Sequence, residues 1–166
     1  MKPFAEWLST TAPSVFIQEH NSWAIPLIQS IHIAGIATIS GAAFLIILRV
    51  LGLSGMDQSL RQTSQRYGPW ISGSLYLLLV TGLLMVVGEP ARELISFSFW
   101  AKMALVAIGT VIAAVFQRSV RNGEPQFGAP GKGLAILTFS LWVCIIFLGR
   151  LIAYDHIWGS WSPGAL

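Results

Sequence analysis

The sequence predicts an all-α integral membrane protein, a four-helix bundle with little chain outside the lipid. Three observations predict it. Charged residues are clustered: no Asp, Glu, Lys or Arg occurs between Glu19 and Arg49, between Arg66 and Glu89, or between Lys132 and Arg150. A fourth stretch, Leu94 to Gln117, is broken only by Lys102. A helix needs about 20 mostly apolar residues to cross the hydrocarbon core, so each run is long enough. Secondly, 54% of the 166 residues are apolar and 10% charged, against roughly 25% charged in an average soluble domain. Too few polar side chains remain to coat a water-soluble fold. Thirdly, the runs are continuously apolar, whereas a barrel strand would alternate. A helix also pairs its backbone amides within one segment, as lipid demands.

The elements follow in order within a single transmembrane domain over 1–166. Residues 3–18 mix Phe4, Trp7, Leu8, Val15 and Phe16 with Ser, Thr and Pro, a composition suited to an interfacial segment among headgroups. Span one is expected over 23–48, with Pro26 in its first turn, where a missing amide hydrogen costs least. Span two is expected over 70–87, with Gly68-Pro69 marking its start. Span three covers 99–116, and span four covers 134–154 after a Gly- and Pro-rich connection at 122–133. Residues 1–10 carry a Lys, a Glu and no apolar core, so the first span is expected to direct insertion. Cys144 is the lone cysteine and falls mid-span, which excludes an internal disulfide and predicts a packing role.

Lys and Arg in short loops set the orientation. Arg49, Arg61, Arg66, Arg118, Arg121 and Lys132 share one membrane face, while Lys2, Arg92, Lys102 and Arg150 belong to the other. The six-cation face is expected to be cytoplasmic, which puts both termini in the periplasm of a bacterial inner membrane. The net charge of +3 is thus a topology signal and no nucleic-acid footprint. Small residues crowd span one (Ala34, Gly35, Ala37, Gly41, Ala42) and span three (Ala104, Ala107, Gly109, Ala113, Ala114). Small side chains let helices approach closely, so these spans are expected in the bundle interior or at a contact between copies.

Ionisable side chains within a span cost about 2.5–3.5 kcal/mol at mid-membrane and call for a reason. Three stand out: His32, Lys102 and Arg150. From a rise of about 1.5 Å per residue, they lie roughly 9, 4–5 and 6 Å in from the outer ends of their spans. Lys102 and Arg150 could simply snorkel to the headgroups, and His32 could bond a Ser or Tyr within the bundle. The sharper reading is one pocket near the periplasmic face for an anionic or redox-active ligand. A haem b would take His32 as an iron ligand, with His156 as the second, while Arg150 and Lys102 neutralise its propionates. A quinone headgroup would instead be held by His32, Arg150 or Tyr154, the last at i+4 from Arg150. With three His in the chain, two bis-His haems are excluded for a monomer. No HExxH, GxSxG or phosphate-binding glycine loop occurs. Trp100, Trp142, Trp158 and Trp161 suit an interfacial aromatic belt.

The stretch Pro26-Leu-Ile-Gln-Ser-Ile-His32-Ile-Ala-Gly-Ile-Ala, the run Leu48-Arg-Val-Leu-Gly-Leu53 and the ending Gly149-Arg-Leu-Ile-Ala-Tyr154 resemble a family of small, uncharacterised bacterial four-span membrane proteins. The resemblance covers roughly residues 23–155, implies the four-span fold and points to His32, Arg49, Lys102, Arg150 and Tyr154. The layout is also similar to four-helix cytochrome b and copper-resistance membrane proteins, although this chain lacks the His set of their two-haem members. The leading expectation is a membrane redox or ligand-binding subunit with one intramembrane site, working as a homo-oligomer or within a larger complex. A structural or assembly subunit and a small-solute transporter are the alternatives.

Overall fold

The computed structural model describes residues 1–121 and 129–152, and among these the chain is all α-helical. Four helices are long: α3 (Asn21–Leu51), α4 (Leu60–Gly88), α6 (Phe97–Arg121) and α7 (Ala129–Leu151). Each contains a stretch long and apolar enough to cross a membrane, so this is a multi-pass membrane protein. Three short helices, α1 (Lys2–Ser9), α2 (Ala12–Glu19) and α5 (Pro90–Leu94), precede and interrupt them. The long helices form a ring in which α3 packs on α4, α4 on α6, α6 on α7 and α7 back on α3. Ring neighbours run antiparallel, so the α3–α4 turn, the end of α6 and the start of α7 share a loop end. The opposite, terminal end gathers α1, α5 and the close of α7, where Ala5, Leu94, Phe99 and Ile152 pack together.

Local chemistry explains the helix limits. At the end of α3, Gly52 adopts the left-handed conformation (φ 77°), and the amides of Gly52 and Leu53 donate to Arg49 and Leu48 carbonyls. A capping box opens α4: Ser59 Oγ accepts from the Gln62 amide at 3.2 Å, and Gln62 Oε1 accepts from the Ser59 amide at 2.8 Å. Arg49 Nε donates to the Gln58 carbonyl at 2.7 Å and ties the intervening turn.

Several boundaries differ from the sequence-based expectation. Helix α3 starts at Asn21, because the Trp23 and Ala24 amides already reach the His20 carbonyl, so Pro26 lies inside the helix rather than in its first turn. Likewise α4 begins at Leu60 and runs straight through Gly68-Pro69. Proline is tolerated within membrane helices because the surroundings re-satisfy the freed carbonyl. The expected interfacial segment is two helices folded over the bundle end. Ser14, fully buried, donates to the Val87 carbonyl at 2.6 Å, while Phe4, Trp7 and Phe16 stay exposed. That close approach needs Gly88, since a Cβ there would stand 2.8 Å from Ile17 Cγ2 and from Ile25 Cδ1. The expected connection at 122–133 is shortened by the start of α7 at Ala129, and 122–128 lie outside the described residues.

The interior also differs. Helix α3 buries Gly35 and Ala42 with Ile39 and Ile46, while Ala34, Ala37 and Gly41 face outward, so only part of its small-residue set is interior. Helix α6 is peripheral along its span: Ala104, Ala107, Thr110 and Ala114 face outward, and Gly109 is buried, against Leu141. A small side chain permits close approach without requiring it. Cys144 is exposed rather than packed. Trp142 is no belt residue, because it packs mid-helix against the core of Ile39, Ala42, Ile46 and Ile71.

Candidate functional site

Buried polar groups concentrate in the terminal half of the bundle. His32 sits on the buried stripe of α3, one turn from Gly35, and is 9% exposed. Its Nδ1 lies 2.7 Å from Thr81 Oγ1 on α4, and Thr81 is itself 4% exposed. The Thr81 hydroxyl donates to the Leu77 carbonyl at 2.7 Å, so its oxygen is the acceptor for an Nδ1–H of His32. This network assigns the tautomer and leaves the lone pair of a neutral imidazole at Nε2. The ring lies on α4 at Gly82, where a Cβ would stand 3.8 Å from His32 Cε1. A hydroxyl that anchors one imidazole nitrogen fixes where the other points, the arrangement by which His ligands are commonly oriented.

Lys102 approaches from α6. Its side chain is drawn across α7 at Gly149, where an added Cβ would meet Nζ at 3.3 Å. Its ammonium lies close enough to His32 to interact with it electrostatically. The opposite charge comes from Glu93 on α5, 8% exposed, which attracts the ammonium. Glu93 is buried because α1 covers α5 and because Leu94 beside it anchors the terminal core. Ser96 caps α6 by accepting from the Phe99 amide at 3.1 Å, which holds the start of the Lys102 helix beside α5. Thus α3 and α4 supply the His32–Thr81 bond, while α5, α6 and α7 surround Lys102, both near the terminal end.

Of the residues expected from sequence, His32 and Lys102 lie within electrostatic range of each other. Residues 153–154 of the expected fourth span lie outside the described residues. Arg150 is exposed at the terminal end of α7, in its last turn. Its cation there complements the negative end of the helix dipole. Tyr154 and His156 lie outside the described residues. His20 stands far from His32 at the N-cap of α3, with Nδ1 2.9 Å from the Phe16 carbonyl. Arg49 belongs to the loop end and serves the α3–α4 turn.

Thr81, and Glu93 as the partner of Lys102, escaped the sequence reading. Thr81 is the one threonine in the charge-free run before Glu89, a signal available to inspection. From sequence Glu93 is a candidate partner for Arg150 rather than Lys102, and Glu89 is spent on an exposed ion pair with Arg92 at 2.6 Å. Among the described residues, no three His, Cys, Asp or Glu side chains gather as metal ligands. An iron porphyrin would therefore draw one axial imidazole from them, whereas a ligand recognised by hydrogen bonds would find a donor in Lys102 and an acceptor in His32. No curated protein and no solved structure matches this chain. Its sequence does match, over residues 4–155, the profile of a family of unknown function, DUF6644, and the chain belongs to that family.

Proposed function

We propose that this protein is a redox or ligand-binding membrane subunit whose His32–Lys102 pair holds the headgroup of a quinone. The observation that carries the reading is a buried imidazole oriented by Thr81 at 2.7 Å within electrostatic reach of a lysine ammonium. Both are costly to place in a membrane and mark function by default. The ammonium suits the carbonyl oxygen of a quinone, and Nε2 suits the hydroxyl of a quinol. Glu93 balances the lysine charge at the terminal end, so the headgroup itself need not be anionic. A quinone enters sideways from the bilayer, which fits a site ringed by lipid-facing helices. The positive-inside count supports a bacterial inner membrane with this site near the periplasmic face and both termini periplasmic. A homo-oligomer or larger membrane complex would supply the electron partner.

The test is extraction. Protein purified from quinone-replete membranes is expected to retain quinone in its lipid extract, and His32→Ala and Lys102→Met are expected to lose most of it. Equal quinone content in wild type and both variants would end the proposal. A Soret band in the purified protein that vanishes in His32→Ala would replace quinone by haem at the same imidazole.

A further inference from the structure

A second site lies toward the loop end, independent of the His32–Lys102 pair. A cavity of about 80 Å³ opens between all four long helices, walled by Ile39, Ile46, Ile71, Phe116, Leu134 and Trp142. Ile39 is seven residues beyond His32, so the cavity begins roughly 10 Å further along α3. Its wall is almost wholly apolar. Thr138 gives its hydroxyl to the Leu134 carbonyl at 2.7 Å, which leaves Gln117 and the indole N–H of Trp142 as the lining side-chain groups with polar capacity. Water needs two to four polar partners, so such a space stays dry. Leaving it empty forfeits dispersion contacts along its whole lining. The medium around a membrane helix bundle is hydrocarbon, and hydrocarbon is the filler at hand.

Charge narrows the choice of filler. Two lining residues, Gln117 on α6 and Gly131 on α7, are followed directly by Arg118 and Lys132, both exposed. The loop end of the cavity thus lies one residue from a cation on each of α6 and α7. We propose that it holds a segment of an acyl chain of an anionic phospholipid, the rest of the chain lying in the bilayer and the phosphate met by Arg118 and Lys132. An isoprenoid tail would fill the apolar part equally well, but an uncharged quinone head makes no use of the cations at this rim.

Native mass spectrometry decides it, with wild-type protein equilibrated in vesicles of equal phosphatidylglycerol and phosphatidylcholine before release. One phosphatidylglycerol per chain is the expected adduct. Ala135→Phe, which fills the cavity from α7, is expected to cut that retention about tenfold, and Ala43→Leu, which fills it from α3, should do the same if the first variant folds poorly. The double variant Arg118→Gln, Lys132→Gln is expected to keep an adduct while the preference over phosphatidylcholine falls about tenfold or more. Quinone content should be unchanged in the double variant, which separates this site from the one at His32. Retention of no phospholipid, of both lipids equally, or of as much in both cavity-filled variants as in wild type overturns the proposal. So does a cavity-dependent adduct that proves to be quinone or a second copy of the chain.

Discussion

At the scale of single residues, the His32–Thr81 bond is the part of the cluster open to direct energetic test. Interhelical hydrogen bonds in membranes average about 0.6 kcal/mol and reach about 1.7, while a buried donor left without an acceptor costs about 1–3 kcal/mol. Thr81→Val keeps the shape and removes the acceptor, so a loss of about 1–2 kcal/mol is expected. Thr81→Ser keeps the hydroxyl and should stay within about 0.5 kcal/mol of wild type. Reversible unfolding in mixed detergent micelles measures both. If the bond also aims Nε2, Thr81→Val should release quinone while Thr81→Ser retains it, a split that a purely structural threonine would not give. His32 was legible in the sequence because an imidazole among aliphatic residues is conspicuous. Its pairing with Thr81 was not, because the charge-free stretches of α3 and α4 are apolar on every side and the hydrophobic pattern does not say which face is buried.

At the scale of elements, the short helices decide whether the cluster is shielded. Charge-free runs revealed the four spans because bilayer thickness imposes a minimum length on each. No comparable constraint governs α1, α2 and α5, so their folding over the terminal end left little trace in composition. The trace that exists is Gly88. A side chain there collides with Ile17 and Ile25 at 2.8 Å, and over-packing of this kind typically costs about 1–3 kcal/mol. Gly88→Ala offers one methyl that the end of Ile25 can partly yield to; Gly88→Val adds branches that cannot fit. Gly88→Val is therefore expected to lift α2 from α4 and leave the long helices in place. Ser14→Cys reports this, since Ser14 on α2 is fully buried against α4. In a background with Cys144 replaced by Ser, a thiol reagent should label that position slowly in the parent and at least about tenfold faster with Gly88→Val. Equal labelling rates would show that α2 is held by something other than this contact.

At the scale of the whole molecule, the ring of antiparallel helices fixes which groups share an end, and charge then fixes which end faces the cytoplasm. The Arg49–Gln58 bond and the starts and ends of α4, α6 and α7 place Arg49, Arg61, Arg66, Arg118 and Lys132 at the loop end. The terminal end holds Lys2, Arg92, Lys102 and Arg150, but Lys102 is turned inward to His32 and Glu93, and Arg92 is paired with Glu89. The asymmetry in free surface cations is therefore larger than the raw count of Lys and Arg suggests, and acidic partners matter little to the rule itself. The loop end is expected in the cytoplasm. With Cys144 replaced by Ser, Ser9→Cys on α1 should react in intact cells with a membrane-impermeant thiol reagent, while Asp57→Cys in the α3–α4 turn should react only after lysis. The reverse pattern would put the His32–Lys102 cluster in the cytoplasmic leaflet and the phospholipid cavity in the outer one, so the electron partner of the first and the lipid supply of the second would both have to be sought on opposite sides of the membrane.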